Sequence, residues 1–281
     1  MHEKVVVTKN LSDVELEDKC RWVRSETLRI HKIAPGIRIA SALSCVETLV
    51  ALHYGNILHF SPEAPLHKER DRFIVSKAHG TVSYYPILAD LGYFGMDQLV
   101  KVGKPGSILG DIPDNSIPGY ETVNGSLGHG LGVACGIALA LKAKKSDRTV
   151  FVLLGDGELF EGSVWEGIMF AAQHQLDNLV LVIDNNKICM LDYCTRIINL
   201  EPLNRKFACF GWDHHEVDGH DVIALKSLFA AVRDSRNGLP KVVVANTVKG
   251  KGVEKLERDS LCHIRSLQAD EIDRLLEEMN V

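Results

Sequence analysis

Two short polar segments, each placed directly after an apolar run, carry the residues most suited to chemistry. Residues 155–158 read Gly-Asp-Gly-Glu and follow the apolar run 150–154, and Asn186 lies thirty residues after Asp156, where the next apolar run ends. A tight turn would explain the first segment alone, but the pair at this spacing favours a ligand site. Glycine lets a backbone approach a ligand closely. A carboxylate, an amide oxygen and a nearby backbone carbonyl would supply half of an octahedral magnesium shell, which a diphosphate and a water could complete.

The elements around these segments alternate between strand and helix. The patterns predict strands at 73–75, 149–154, 179–184, 213–217 and 241–245, and helices at 12–33, 42–54, 127–144, 164–174, 221–234 and 268–279, with a further helical run ending at 91. Strands that are apolar on both faces and separated by helices indicate a parallel sheet covered on both sides. Ligands bind such sheets beyond the carboxyl ends of the strands. We therefore predict an α/β fold, with a parallel sheet flanked by helices on both faces, as a single domain over residues 1–281.

Composition excludes several classes of function. The chain has 281 residues and a formal charge of −5, so it lacks the basic footprint of a nucleic-acid-binding protein. No apolar run approaches the roughly 18 to 20 residues that span a bilayer, and the first ten residues do not resemble a secretion signal. Seven cysteines without a Cys-x-x-Cys pair fit a reducing compartment. We therefore expect a cytoplasmic protein with no nucleic-acid or membrane partner.

Five motifs, in order along the chain, resemble those of the transketolase family. The Gly-Asp-Gly segment and the Asn pair at 185–186 form a thiamine-diphosphate signature. The other four motifs are Ser-Lys-Ala-His-Gly at 76–80, Asn-Gly-Ser-Leu-Gly-His-Gly at 124–130, Glu-Leu-Phe-Glu-Gly at 158–162 and Thr-Val-Lys-Gly-Lys-Gly-Val at 247–253, with His263 trailing. The similarity runs from about residue 12 to residue 265. It implies the thiamine-diphosphate-binding fold, specifically its diphosphate-binding domain.

The resemblance also implies a cofactor and its ligands. Thiamine diphosphate would bind with Mg²⁺, or with Ca²⁺ or Mn²⁺ in its place, and the metal would be held by the side chains of Asp156 and Asn186 and by the carbonyl of Ile188. Leu127 and Met190 would press the cofactor into its bent, reactive shape. The full set of implied cofactor-binding residues is His79, Ser126, Leu127, Gly155, Gly157, Glu158, Asn186, Ile188 and Met190.

Three residues match catalytic positions of the family. His79 and His263 correspond to histidines beside the diphosphate and the reacting oxygens of the substrate, where an imidazole of near-neutral pKa can move protons. Glu161 corresponds to a glutamate that links to the catalytic glutamate of the other half of the site, across an interface. A solvated carboxylate at a helix start is the alternative interpretation of Glu161.

The resemblance covers only the first part of a full transketolase. The family continues into a pyrimidine-binding domain and a C-terminal domain, which supply the glutamate that protonates the aminopyrimidine ring and the pocket around that ring. We therefore expect those domains on a partner chain, a C-terminal transketolase-like subunit. The assembly would be a heterotetramer of two copies of each subunit (α2β2), with active sites at the interfaces.

Two positions depart from the family pattern. Arg38 stands where the family has a substrate-channel histidine, and Ile112, within the Gly- and Pro-rich loop 103–125, stands where it has another. Arginine suits a carboxylate or phosphate, whereas an isoleucine cannot hydrogen-bond a hydroxyl. We therefore expect Arg38, Ile112 and His263 to contact the substrate, which would be a modified, deoxy or nucleotide-linked sugar, or a 2-oxo acid.

The function implied is that of a transferase that moves a two-carbon ketol unit between sugar, sugar-phosphate or modified-sugar substrates and is active only with its second subunit. Two alternatives stay open. A 2-oxo-acid-decarboxylating ligase or a dehydrogenase E1 component would use the same cofactor and would release carbon dioxide from a 2-oxo acid. A non-catalytic homologue would bind a partner without the cofactor, and the intact metal ligands Asp156 and Asn186 argue against it.

Overall fold

A sheet of parallel strands forms the centre of the fold. The computed structural model describes residues 10–123 and 125–279. Within them lies a five-stranded sheet with the order β1-β2-β3-β5-β4, in which every neighbouring pair is parallel. The strands are β1 (Arg72–Val75), β2 (Val150–Gly155), β3 (Leu179–Asn185), β4 (Asp213–Asp218) and β5 (Lys241–Asn246). The prediction of an α/β fold with a parallel sheet is confirmed.

Helices cover both faces of the sheet. The α-helices are α1 (Asp13–Ile33), α2 (Ile39–Leu43), α3 (Val46–Tyr54), α4 (Tyr84–Asp90), α5 (Gly130–Ala143), α6 (Gly162–Gln173), α7 (Cys194–Ile197), α8 (Leu203–Cys209), α9 (Val222–Asp234), α10 (Glu254–Glu257) and α11 (Ala269–Glu278). Short 3-10 turns occupy Ala78–Gly80, Met96–Lys101, Asp156–Phe160 and Cys262–Ile264. One core cluster packs α1, α3, α4 and α9 on one face of the strands, and a second packs α5, α6 and α8 on the other.

The strand register brings the two polar segments together. Leu154 on β2 lies opposite Ile183 on β3, and Gly155 lies opposite Asp184. The chain therefore leaves both strands at the same edge of the sheet, with Asp156 and Asn186 one and two residues further on. Both residues therefore follow the carboxyl ends of neighbouring strands, which is where ligands bind parallel sheets.

Two of the predicted helices are wrong in their bounds. The run 42–54 is not one helix, because α2 ends at Leu43 and α3 starts at Val46. Ser44, between them, turns its hydroxyl to the Ser41 carbonyl at 3.1 Å and to the Asp184 carboxylate at 2.6 Å, and such side-chain bonds compete with a helical backbone. The run 127–144 begins as a helix only at Gly130, because Gly128 has a φ of +87°.

The helices were compared with the length and apolarity that a membrane span needs. Within residues 10–123 and 125–279, no helix joins the length and the apolar surface needed to cross a bilayer.

Candidate active site

A cavity of about 260 Å³ lies at the carboxyl ends of β2 and β3, and we call it the sheet-edge cavity. It gathers predicted site residues from loops that are distant in sequence. The predicted residues that line it are His79, Leu127, Gly155, Asp156, Gly157, Glu158, Glu161, Asn186, Ile188, Met190 and His263. Residues not predicted individually also line it: Ser41, Lys77, Phe160, Cys189, Ile197 and Lys249.

Asp156 is a buried carboxylate that lines the cavity. Its Oδ1 accepts from the backbone N–H of Gly157 at 2.8 Å, and its Oδ2 accepts from the backbone N–H of Lys187 at 2.5 Å. Burial, and then the nearby Asp184 carboxylate, raise the pKa of Asp156 to about 6. A carboxylate that is costly to ionise in this way would be stabilised by a bound cation.

The other two predicted metal ligands, Asn186 and Ile188, line the same cavity as this carboxylate. The Oδ1 of Asn186 accepts from the backbone N–H of Ile188 at 3.2 Å. The carbonyl of Ile188 accepts from the Nζ of Lys249 at 2.7 Å, and a carbonyl oxygen has a second lone pair for another partner. One carboxylate, one amide oxygen and one carbonyl are hard oxygen ligands, so the donor set fits Mg²⁺.

The backbone beside Asp156 is closely packed at residue 157, which is glycine. A Cβ at that position would lie 3.1 Å from the Cβ of Cys189, which is tighter than ordinary packing. In the described residues, no group of three His, Cys, Asp or Glu side chains comes together as a metal site. The oxygen set at Asp156 is of another kind, because it contains a single carboxylate.

A buried ion pair that was not predicted from the sequence lies at the cavity, where Lys77 is one of the lining residues. The ammonium of Lys77 contacts the Oδ2 of Asp184, and both side chains are almost fully buried. Asp184 also accepts from Ser44 at 2.6 Å and from Thr247 at 2.5 Å. Burial alone would raise the pKa of Asp184, but the Lys77 charge and these hydrogen bonds hold it below its ordinary value. The pair is therefore ionised at neutral pH.

His79 and His263 are in edge-to-face contact in the wall of the cavity. Their ring centroids lie 5.4 Å apart at an interplanar angle of 78°. Nδ1 of His263 lies 3.1 Å from the hydroxyl of Ser41. Burial, together with the cations Lys77, Lys249 and Arg38, lowers the pKa of His79 to about 4, and burial with the same charges and His79 lowers that of His263 to about 3. Both imidazoles are neutral at physiological pH in this structure.

The two glutamates of the 158–162 motif have different surroundings. Glu158 is buried, receives the hydroxyl of Ser76 and accepts from the N–H of Gly128 at 2.9 Å, so it ties two of the cavity loops together. Burial raises its pKa. Glu161 is exposed at the N-cap of α6 and leans against Gly128, where an added Cβ would lie 2.7 Å from the Cβ of Glu161.

Three predicted residues lie outside the cavity lining. Ser126 and Arg38 are exposed, and Ile112 is 51% exposed. Arg38 is near enough to depress the pKa values of both cavity histidines. Ile112 lies beside Gly125, with its Cγ2 3.5 Å from where a Cβ on that glycine would lie. Asn124, the first residue of the 124–130 motif, lies outside the described residues.

The sequence carried weak signals for the missed residues. Lys77 and Lys249 lie inside the motifs at 76–80 and 247–253, and Asp184 precedes the Asn pair. A lysine two residues after an apolar strand, and an aspartate near the end of another, suggest a buried pair only once β1, β2 and β3 are known to be neighbours.

Comparison with known proteins decides the family. The thiamine diphosphate binding domain of transketolase matches residues 34–280 of this chain. The chain belongs to the transketolase family. An apulose-4-phosphate transketolase subunit from Actinobacillus succinogenes is 38% identical over 96% of this chain and 98% of its own length. The 6-deoxy-6-sulfo-D-fructose transketolase subunit SqwG of a Clostridium species is 34% identical over 89% of this chain and 90% of its own length.

Solved transketolases have the same fold. The transketolase of Campylobacter jejuni matches with a TM-score of 0.88 and 25% identity over 96% of this chain. The chain spans 43% of the length of that structure. The matches confirm the family, the α/β thiamine-diphosphate-binding fold and the transketolase-like enzyme function predicted from the sequence, and thiamine diphosphate is the cofactor of this family domain.

Proposed function

We propose that this chain is the cofactor-binding half of a two-chain transketolase, which binds thiamine diphosphate and a divalent cation and transfers a two-carbon ketol unit between sugars. The sheet-edge cavity carries the proposal, because the predicted metal ligands Asp156, Asn186 and Ile188 line it together with His79 and His263. The relatives that match over nearly their whole length are named as transketolase subunits, which supports a chain of the same kind.

The metal would be held by the oxygens of Asp156, Asn186 and Ile188, with Mg²⁺ preferred and Ca²⁺ or Mn²⁺ as substitutes. The Gly157 N–H, which here donates to Asp156, would donate to the diphosphate instead. Ser126, Gly155 and Glu158 would support the loops around the diphosphate. Among these, Glu158 acts through its bond to the Gly128 N–H, which keeps the 126–130 segment against the cavity.

Bound thiamine diphosphate supplies a nucleophilic carbon that cleaves and re-forms the carbon–carbon bond next to a ketone. Leu127 and Met190, which both line the cavity, would hold the cofactor. His263 would exchange a proton with a substrate oxygen through Nε2, because Ser41 lies beside its Nδ1. His79 is the second neutral imidazole, and a neutral base is the form that accepts a proton.

A partner chain would complete the site. Apolar side chains beside the cavity are exposed in this chain, among them Met190, Leu191, Ile197 and Ile198. Exposed apolar patches mark interaction surfaces, and this one adjoins the cavity in which the cofactor would bind. We propose that a C-terminal transketolase-like subunit with a pyrimidine-binding domain covers it in an α2β2 assembly, and that Glu161 meets the catalytic glutamate of that subunit.

The substrate would be a sugar that carries an anionic or deoxy modification. Arg38 places a permanent cation near His79 and His263, and Ile112 adds an apolar side chain to the loop that adjoins residues 125–130. The named relatives act on a sugar phosphate and on a sulfonated sugar, which supports this class. Arg38→His and Ile112→His are expected to shift the ratio of kcat/KM values from anionic sugars toward unmodified ones. An unchanged ratio would contradict the assignment.

Activity with the partner tests the proposed function. The chain is mixed with the protein encoded by the adjacent reading frame, association is shown by size-exclusion chromatography, and ketol transfer is followed with thiamine diphosphate and Mg²⁺. Transfer between two sugar phosphates is expected, and it should be absent from either chain alone. Carbon dioxide release from pyruvate without sugar transfer would indicate the decarboxylating alternative. An associated pair that does neither would contradict the catalytic assignment.

A further inference from the structure

We propose that the buried pair Lys77–Asp184 is a positioning device that fixes the side-chain amide of Asn186 with its oxygen toward the metal site. This inference rests on the proposed function, because it assigns a task toward the cation that Asn186 would bind. Asp184 itself is a positioning residue and not a metal ligand, because its carboxylate oxygens are occupied by protein donors.

The contacts around Asp184 determine which atoms of Asn186 face it. The Nδ2 of Asn186 donates to Asp184 Oδ2 at 3.0 Å, and the Oδ1 of Asn186 accepts from the N–H of Ile188 at 3.2 Å. Asp184 Oδ2 also receives the Lys77 ammonium and the Ser44 hydroxyl, the latter at 2.6 Å. An ionised carboxylate has only acceptors, so it bonds the NH₂ of the amide and repels its oxygen.

A flipped Asn186 amide would lose both hydrogen bonds, the one to Asp184 and the one from the Ile188 N–H. Its oxygen would then face the Asp184 carboxylate, and its NH₂ would face the N–H of Ile188 and the cation site. Two buried donors and two buried acceptors would be opposed without partners, which a protein interior tolerates poorly. An amide nitrogen is also no ligand for a hard cation such as Mg²⁺. Asp184 therefore selects the amide orientation that presents an oxygen to the metal.

The ion pair explains why a carboxylate can do this in a buried place. Asp184 and Lys77 are 1% and 4% exposed, and an unpaired buried charge would be costly. Thr247 donates to Asp184 Oδ1 at 2.5 Å and holds the carboxylate from its other side. These partners leave Oδ2 fixed in direction, so its bond to Asn186 is fixed as well.

Two double variants that differ in one group test the inference. In Lys77→Met/Asp184→Asn the charge pair is gone, but the new amide oxygen can occupy the Oδ2 place and accept from Asn186. In Lys77→Met/Asp184→Leu no acceptor remains. Mn²⁺ binding is measured by electron paramagnetic resonance, with thiamine diphosphate and the partner protein present. The Asn variant is expected to bind Mn²⁺ within about three-fold of the parent, and the Leu variant roughly 10- to 100-fold more weakly, the usual range for loss of a ligand's supporting bond.

A second measurement, made on the parent protein, tests the Asn186–Asp184 hydrogen bond without any change to the ion pair. The side-chain NH₂ resonances of Asn186, assigned by their loss in Asn186→Asp, should exchange slowly with solvent because they are buried against Asp184. Exchange as fast as that of the exposed Asn199 would overturn the inference, even if the double variants fail to fold.

The remaining outcomes distinguish this inference from the proposed function. Equal Mn²⁺ affinity of the two double variants, with Asp156→Ala strongly weakened, would overturn the role of Asp184 alone. Unchanged Mn²⁺ binding by Asp156→Ala and by Asn186→Ala would overturn the metal site itself, and with it the proposed function.

Discussion

Replacing Lys77 by methionine should destabilise the chain because it leaves a buried carboxylate without its counter-charge. Methionine has about the length of the lysine stem, so packing changes little, but the Asp184 carboxyl, 1% exposed in the parent, stays buried without a counter-charge. Removing one partner of a buried pair typically costs about 3–5 kcal/mol. Three hydrogen bonds to Asp184 survive, from Ser44, Asn186 and Thr247. We therefore expect the low end, about 3 kcal/mol.

The assay is equilibrium unfolding in urea, followed by circular dichroism, together with a thermal melt. A loss of about 3 kcal/mol corresponds to a fall in Tm of roughly 6–12 °C for a chain of this size. Lys77→Met/Asp184→Asn should recover most of the loss, because no buried charge is left. Lys101→Met removes an exposed lysine from a surface pair with Asp97 and serves as the control that leaves the midpoint unchanged.

The pH dependence of the Lys77→Met effect has a defined sign. In the parent, the pKa of Asp184 is held below its ordinary value, so its contribution to stability is present above the unfolded pKa and is lost as the pH falls through the folded value. In the variant the buried carboxyl prefers to be protonated. The difference in unfolding free energy should therefore shrink between about pH 7 and pH 4. A difference below about 1 kcal/mol at neutral pH, or one that grows on acidification, would refute the reasoning.

Three further predictions concern stability. The Ser12 hydroxyl caps α1 by accepting from the Glu15 N–H. Ser12→Ala should therefore lower the free energy of unfolding in urea by about 1 kcal/mol, and an unchanged value would contradict the role of this cap. Lys145→Gly should stabilise the chain by roughly 0.5 kcal/mol, because residue 145 has a φ of +54° after α5; a lower Tm would contradict this. His31, as a neutral ring, accepts from the Leu267 N–H at 3.0 Å, and burial lowers its pKa to about 4. The free energy of unfolding should therefore fall by up to about 3 kcal/mol as the pH drops from about 6.5 to 4, because the unfolded chain binds the proton more readily. His31→Gln should flatten that part of the pH profile, and an unchanged slope would argue against the neutral buried ring.

The central part of the site could be predicted because it follows from local pattern. An apolar run followed by Gly-Asp-Gly, and a second run followed by Asn186, give Asp156 and Asn186 a common position as soon as the sheet is parallel. The parallel sheet in turn follows from strands that are apolar on both faces. That conclusion needs only one long-range fact, that β2 and β3 are neighbours, and their register shows it.

The supporting network could not be predicted, because its partners are joined only by the fold. Lys77 and Asp184 lie 107 residues apart in the chain. Nothing local distinguishes Asp184 from Asp156, and only neighbouring strand ends show that one is paired with a lysine while the other faces the cavity. The break between α2 and α3 has the same origin, since Ser44 bonds Asp184 across 140 residues.

Calorimetric titration of thiamine diphosphate with Mg²⁺ tests the central claim most directly. The titration is run on the chain alone and with the associated partner, for the parent, for Asp156→Ala and for Asp234→Ala, which removes an exposed carboxylate on α9 as a control. We predict binding that tightens with the partner, that is lost in Asp156→Ala and that is unchanged in Asp234→Ala. Absence of binding by the parent even with the partner associated, or equal binding by Asp156→Ala, would contradict a cofactor site at the ends of β2 and β3.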